Sequence, residues 1–404
     1  MFLKIAFRNI FRQRRRTLLT MLTMLGGFVL CSFSIAWVDG SYANVIDLFT
    51  RNRLGHLQIH QRDYVDRPSL YRTIDDYEEV GAALDGIERI VAWAPRVYAA
   101  GLAAVGERTT GARIIGIDPG REDRATHFDR KVARGHALPT EHAGEALLGK
   151  GLAERLEASV GDEVVIVSQA ADGSIANDGY TVTGIVDSGD EMNDQQALYL
   201  HLADAQELLV LEGRAHEMVI IADSIRRLEP LADEVRRTVA RPELQVETWK
   251  EFASSFYDAM RADQQGNWIS IVIIIMLVAI GVLNTVLMSV LERTREFGLL
   301  RAVGTAPRQV FGLVVTESVI MSVLAVGVGT VISLVLNDWL SHTGVPMPVT
   351  IDYGGMTFSE MYTEVNLRSF LIPWLAVVLS AVLVSVPAAI RAARTRPAAA
   401  MRTF

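Results

Sequence analysis

Four stretches of the chain are apolar for long enough to cross a bilayer, and the polar positions gather between them. Residues 17–38 (TLLTMLTMLGGFVLCSFSIAWV) hold 22 positions without a charge, and residues 268–291 (WISIVIIIMLVAIGVLNTVLMSVL) hold 24. At ~1.5 Å of rise per residue the second reaches about 36 Å, enough to span a hydrocarbon layer roughly 30 Å thick with some tilt. Residues 309–336, broken only by Glu317, and residues 369–390 complete the set. The region between the first two spans, 39–267, has a different texture. GHLQIH (55–60), ERIVAWAPRVYA (88–99), ARIIGI (112–117), DEVVIVS (162–168), YTVTGIV (180–186) and HEMVII (216–221) have the β-branched look of strands. Amphipathic helices are expected at 75–84, 149–158, 203–212 and 225–239, and 249–265 reads as a helical stalk entering the second span. A stretch of this length can hold its own core, in two lobes. The fold class is therefore an α-helical membrane protein with four transmembrane helices plus a large α+β domain inserted between helices 1 and 2.

Charge orients the scheme. The net charge of −8 is unevenly spread: residues 1–16 carry +6, residues 292–308 carry +2 and the tail 391–404 carries +4, leaving −20 for the rest. Positive segments stay cytoplasmic. Four crossings then put both termini and 292–308 inside, and make 39–267 and the loop 337–368 extracytoplasmic. MFLKIAFRNIFRQRRR (1–16) reads as a basic amphipathic helix lying on an anionic membrane surface. The apolar run after it is too long for a cleaved signal peptide and suits a signal-anchor. Basic ends around an acidic middle argue against nucleic acid as a partner, which would need a basic folded face. The single cysteine, Cys31, allows no internal disulfide and no cysteine-based metal site.

The segment joining spans two and three, ERTREFGLLRAVGTAPRQV (292–310), also has helical spacing. Arg293, Phe297, Leu300 and Gly304 recur along one face, Glu292 can pair with Arg295 and Arg293 with Glu296, and Gly304 with Pro307 ends the helix. Two readings are open on these grounds: a plain connector, or a docking helix that offers Phe297 and Leu300 to a partner. This segment resembles the one between the second and third spans of MacB/FtsX-type ABC-transporter permeases, which include the lipoprotein-releasing LolC and LolE proteins. Glu292, Arg293, Glu296, Gly298, Arg301, Ala302 and Gly304 match the family position by position. The resemblance implies a coupling helix seated in a cleft of a cytoplasmic ABC ATPase, with ATP and magnesium bound by that partner and no cofactor in this chain. It also implies a second permease subunit, identical or paralogous. RNIFRQRRRTLLTML near the N-terminus, WAPRVYAAGLAAVGERTTGARIIGIDPGRE (93–122), LLGKGLAERLEASVGDEVVIV (147–167) and YTVTGIVDSGD (180–190) extend the likeness over nearly the whole chain. One departure stands out. Where LolC proteins carry a proline-containing hook for a periplasmic carrier, SQAADGSIANDGY (168–180) is short, polar and free of proline.

Other candidate chemistry is sparse. GEALLGKG (144–151) nearly spells a phosphate-binding loop, but Gly151 stands where Ser or Thr would hold magnesium, so no nucleotide is expected there. His56 and His60 share a strand face without supporting ligands and read as ordinary surface histidines. No catalytic cluster is visible, so the chain is read as a transport subunit and not an enzyme. Glu317 lies eight positions into the third span, ~12 Å deep, where an acid is costly and should face protein or water. Asn284 lies at similar depth in the second span, and a hydrogen bond from Glu317 to Asn284, Thr285 or a neighbouring subunit is expected. It acts either as interhelical glue or as a lever carrying motion from the coupling helix. Gly26, Gly27, Gly281, Gly327 and Gly329 suit close helix packing. Trp339 and Trp374 suit interfacial anchoring. The resemblance implies a permease that uses a partner's ATP hydrolysis to extract or translocate a lipoprotein or other amphiphile, in a bacterial inner membrane, with a periplasmic carrier or the lipoprotein itself as further partner. The alternatives are a MacB-like peptide or drug exporter and an FtsX-like scaffold that controls a cell-wall hydrolase.

Overall fold

The computed structural model describes residues 14–353 and 356–394, so the expected N-terminal surface helix and basic tail lie largely outside the described residues. The chain forms two compact units, one of residues 45–259 with 347–359 and one made from the remainder.

The first unit is built on one sheet, with strands β1 (Leu57–Gln61), β2 (Ile74–Asp75), β3 (Ile90–Val105), β4 (Arg108–Ile117), β5 (Val132–Gly135), β6 (Glu145–Gly149), β7 (Glu163–Gln169), β8 (Ile175–Val186), β9 (Ala197–His201), β10 (Arg214–Ala215), β11 (Glu217–Ala222) and β12 (Leu244–Thr248). Strands β2 and β10 pair separately. The two expected lobes are not separate bodies, because the 16-residue β3 belongs to both halves of the sheet. Its start pairs with β11, which continues to β1 and β12. Its remainder pairs with β4, and the ladder runs on through β9, β6 and β8 to β7, which returns to β3. Six strands thus close a ring, which leaves them no free edge for another chain to add to.

Side chains alternate along each strand, so β4, β6 and β9 bury both faces. Ile114, Leu148, Leu198 and Leu200 join the main core with the helices Lys150–Leu156 and Leu202–Leu209. Ile115, Ile117, Leu147 and Tyr199 form a second core on the opposite face with Phe128. Burial on both sides explains why ARIIGI reads as a near-continuous apolar run. Around β1, His56 and His60 are buried, which corrects their reading as surface residues. His56 Nδ1 accepts the Ala222 N–H at 3.0 Å, and His60 Nε2 lies 3.1 Å from Glu247 Oε2. Among the described residues, no three His, Cys, Asp or Glu side chains gather as a metal site would require.

The loop that resembled a phosphate cradle has a packing explanation. A Cβ on Gly149 would fall 2.4 Å from the Asp194 carbonyl oxygen, and one on Gly151 2.9 Å from Gln195 Cα. Lys150 Nζ donates instead to Asp187, at 2.9 Å.

The second unit is made of four long helices: α1 (Arg14–Phe49), α2 (Ser254–Glu292), α3 (Pro307–Thr343) and α4 (Arg368–Ala393), with the short helix Thr294–Ala302 between α2 and α3. All four are long and apolar enough to cross a membrane. At 39 residues α2 reaches ~58 Å, so it outruns a bilayer and carries the expected stalk as one continuous rod from Ser254. Between α3 and α4 lies a hairpin of two strands, Val345–Tyr353 and Met356–Met361.

The bundle has an apolar core that includes Phe28, Val286 and Val310, yet it also turns large aliphatics outward and buries polar side chains. Leu22, Leu30, Leu277, Leu334 and Leu383 face outward, whereas Ser32, Glu317, Ser322, Ser333, Asn337 and Ser385 are buried. Small residues permit close contact where they were expected. A Cβ on Gly27 would meet Val278 at 2.5 Å, and one on Gly329 would meet Phe28 at 2.7 Å. Gly26 and Gly327 face open space. Trp339 and Trp374 are both exposed on their helices.

Candidate functional site

The site grows from a break in α2. At Arg293 the backbone leaves helical geometry (φ −97°, ψ 10°), and the short helix Thr294–Ala302 begins. The Thr294 hydroxyl donates back to the Leu291 carbonyl at 2.7 Å. The far end closes with Gly304 at φ +98°, a conformation that only glycine adopts at little cost. There the Thr305 N–H donates to the Leu300 carbonyl (3.0 Å) and the Gly304 N–H to that of Arg301 (3.2 Å), the pair of bonds that caps a helix C-terminus. Pro307 then opens α3, and Gln309 Oε1 accepts the Ala306 N–H at 3.0 Å.

Helical spacing divides the short helix into two faces. Arg293, Phe297 and Gly298 are buried, and Phe297 packs in the bundle core with Val290, Val310 and Ala388. The expectation that Phe297 is offered to a partner is therefore corrected. Glu292, Arg295, Leu299, Leu300 and Val303 are exposed, with Val303 at 82%. Leu299 and Val303, four apart, make the outward apolar stripe together with Leu300. Neither Leu299 nor Val303 stood out in the sequence, because a helix of nine residues shows too little periodicity to say which face turns inward. Arg301 lies at the helix end, and its Nη1 donates to the Thr305 carbonyl at 3.0 Å.

Arg293 is the hub. Its Nη1 donates to both carboxylate oxygens of Glu317, at 3.0 and 2.8 Å, and its Nε donates to Glu296 Oε2 at 2.9 Å. The guanidinium carbon also sits 5.2 Å from the Phe297 ring centroid, within range of a cation–π contact. Both partners of the Arg293–Glu317 pair are under a tenth exposed, at 7% and 9% of the side chain. Within this chain Glu317 is thus bonded to Arg293 and not to the expected Asn284 or Thr285. Asn284 is exposed on its helix, and the Thr285 hydroxyl donates to the Gly281 carbonyl in its own helix at 2.8 Å. The physical reason is reach and charge. An arginine stem at the end of α2 extends to α3, and a charged partner offsets the burial of a carboxylate far better than an amide does.

Comparison with known proteins shows the family. Residues 17–238 match the model of the MacB-like periplasmic core domain, and residues 268–397 match that of the FtsX-like permease C-terminal region. The chain belongs to the MacB/FtsX family of permeases. The lipoprotein-releasing system transmembrane protein LolC of Neisseria meningitidis is 23% identical over 257 residues, covering 61% of each chain. An uncharacterized ABC transporter permease of Mycobacterium tuberculosis is 28% identical over 267 residues, which is 63% of this chain and 29% of that protein. The chain thus spans less than two thirds of the length of either relative. A crystal structure of the periplasmic region of MacB from Actinobacillus actinomycetemcomitans aligns with a TM-score of 0.38 at 14% identity, over 50% of this chain and 94% of that one. The MacB-like match takes in the first span and most of the insertion after it, and the short helix with its Arg293 hub lies within the FtsX-like match.

Proposed function

We propose that this chain is the transmembrane subunit of an ABC transporter in a bacterial inner membrane, with both termini and the helix Thr294–Ala302 on the cytoplasmic side. That helix is the coupling element. Its outward stripe of Leu299, Leu300 and Val303, with Arg295 and Glu292 beside it, docks on a partner ATPase that binds ATP and magnesium. Its inward face is locked to the bundle through Phe297 and Arg293. The observation that carries the reading is the double contact from Arg293 to Glu317, because it ties the start of the docking helix to the interior of α3. A push on the helix then moves α2 and α3 together, and α2 passes the motion along its stalk. A second permease completes the transporter.

The cargo is a lipoprotein or another amphiphile taken from the membrane, in keeping with the names of the LolC relatives. The hairpin between β7 and β8 favours a second cargo. Its turn is only residues 170–174, which leaves no projecting loop there for a soluble carrier. A peptide or drug exporter of the MacB kind needs no such loop.

Site-directed labelling tests the orientation and the docking face together. Cys31 is buried, so Val303→Cys should report with little background. In intact cells it should resist a membrane-impermeant thiol reagent, react after permeabilisation and crosslink to the ATPase. Labelling of Val303→Cys from outside would reject the proposal.

A further inference from the structure

A cavity of about 410 Å³ opens on the face of the sheet outside the strand ring, against β3, β4 and β9. Its size lies within the roughly 300–1,000 Å³ common for small-molecule sites. Three basic side chains line it, Arg96, Arg113 and Lys131, and they are not equivalent. Arg96 is consumed by Glu122: its Nε donates at 3.0 Å and its Nη2 at 2.5 Å, both side chains being buried. Burial raises the Glu122 carboxyl, but the Arg96 guanidinium overrides this and holds it below its usual range.

Arg113 is less well satisfied. One of its terminal nitrogens donates to Asn193 Oδ1, and Asn193 in turn donates to the Tyr199 hydroxyl at 2.8 Å. Its Nε is buried and has no hydrogen-bond partner among the described residues. A buried charged donor without a protein acceptor is costly, so this nitrogen favours an acceptor brought into the cavity. Lys131 lies with its ammonium 5.5 Å from the Phe128 ring centroid, and burial pushes its pKa down to about 8. An additional negative charge in the cavity would stabilise both cations.

The acids on the same walls restrict what that charge can be. Glu217, which accepts from the Tyr98 hydroxyl at 3.2 Å, and Asp190 both line the cavity and would repel a dianion. Ile115, Ile117 and Phe128 supply an apolar and aromatic wall. We propose that this cavity binds a small organic molecule through a single carboxylate held by Arg113 and Lys131, with an apolar or aromatic group laid against Ile115, Ile117 and Phe128. The site lies in the sheet unit and stands or falls independently of the coupling helix.

The test uses the full chain in nanodiscs and three probes: N-acetyl-L-phenylalanine as the apolar monoanion, phenethylamine as the matching cation, and inorganic phosphate. Calorimetry should show saturable binding of N-acetyl-L-phenylalanine and none of the other two. Arg113→Gln should weaken that binding at least tenfold. Ile115→Phe, which fills the cavity without removing a charge, should abolish it, with melting temperature confirming that each variant is folded. No saturable binding of the carboxylate, equal binding of the amine or of phosphate, or unchanged affinity in folded Arg113→Gln would overturn the assignment. If either variant fails to fold, the ranking of the three probes on the unaltered chain decides alone.

Discussion

The two units of this protein solve the same problem, burying polar backbone and apolar side chains, in opposite ways. In the sheet unit, Leu148, Leu198 and Leu200 are fully buried, beside hydrogen-bonded buried polar groups such as His56, Arg96 and Glu122. In the bundle, Leu277, Leu334 and Leu383 face outward while Ser333, Asn337 and Glu317 are hidden. Water drives the first arrangement through the hydrophobic effect. Lipid gives no such drive, so small side chains and polar contacts hold the helices together. The difference teaches what each surface faces: both units have an apolar core, but the bundle adds a buried ion pair between Arg293 and Glu317 to its packing and turns its large aliphatics outward.

The sharpest way to break that contrast is Arg293→Leu. It strands a buried carboxylate on Glu317, and breaking a buried pair from one side costs about 3–5 kcal/mol. The melting temperature in nanodiscs should fall, and the ATPase coupling proposed above should be lost with it. The double variant Arg293→Leu with Glu317→Leu should recover the melting temperature but not coupling. Recovery of both would leave the pair as structural glue only. A middle-sized effect separates the cores directly. Leu200→Ala in β9 should cost roughly 2–5 kcal/mol. The same change at outward-facing, half-exposed Leu334 should cost far less, about 0.5 kcal/mol. Equal losses at the two sites, read by thermal unfolding, would erase the distinction.

The smallest effect is a pH dependence confined to the sheet unit. His56 and His216 are buried, and burial lowers each pKa to about 4. Each Nδ1 accepts a backbone N–H, from Ala222 and Tyr98 respectively, at 3.0 Å, so both rings are held neutral. A base whose pKa is depressed by folding contributes fully above its unfolded value, ~6.5, and loses that contribution as pH falls toward 4. Thermal unfolding should therefore move to lower temperature between pH 6.5 and 4. His216→Gln should flatten that slope, and an unchanged slope would mean other groups carry it.

Much of this architecture was legible before any coordinates. The four spans follow from apolar length, a one-dimensional quantity that a single acid, Glu317, does not erase, and helices appear over all four. The strands at 57–61, 90–105 and 217–222 announce themselves through β-branched runs. Others were not legible. EALLG of β6 reads as part of a phosphate loop, and ALYLH of β9 is short, buried on both faces and flanked by helix. Neither alternates in polarity, so period-2 reasoning has nothing to grip.

The chain's sequence by itself determined how many times it crosses the membrane and where the short helix between α2 and α3 lies. Both depend on local length, charge and capping residues such as Gly304. Only the tertiary structure decided that Phe297 turns inward, that Glu317 meets Arg293 rather than Asn284, and that β7 returns to β3 to close the ring. Those outcomes depend on which groups lie within a few ångströms after packing. Residues 24 positions apart in sequence, such as Arg293 and Glu317, carry no mark of that closeness.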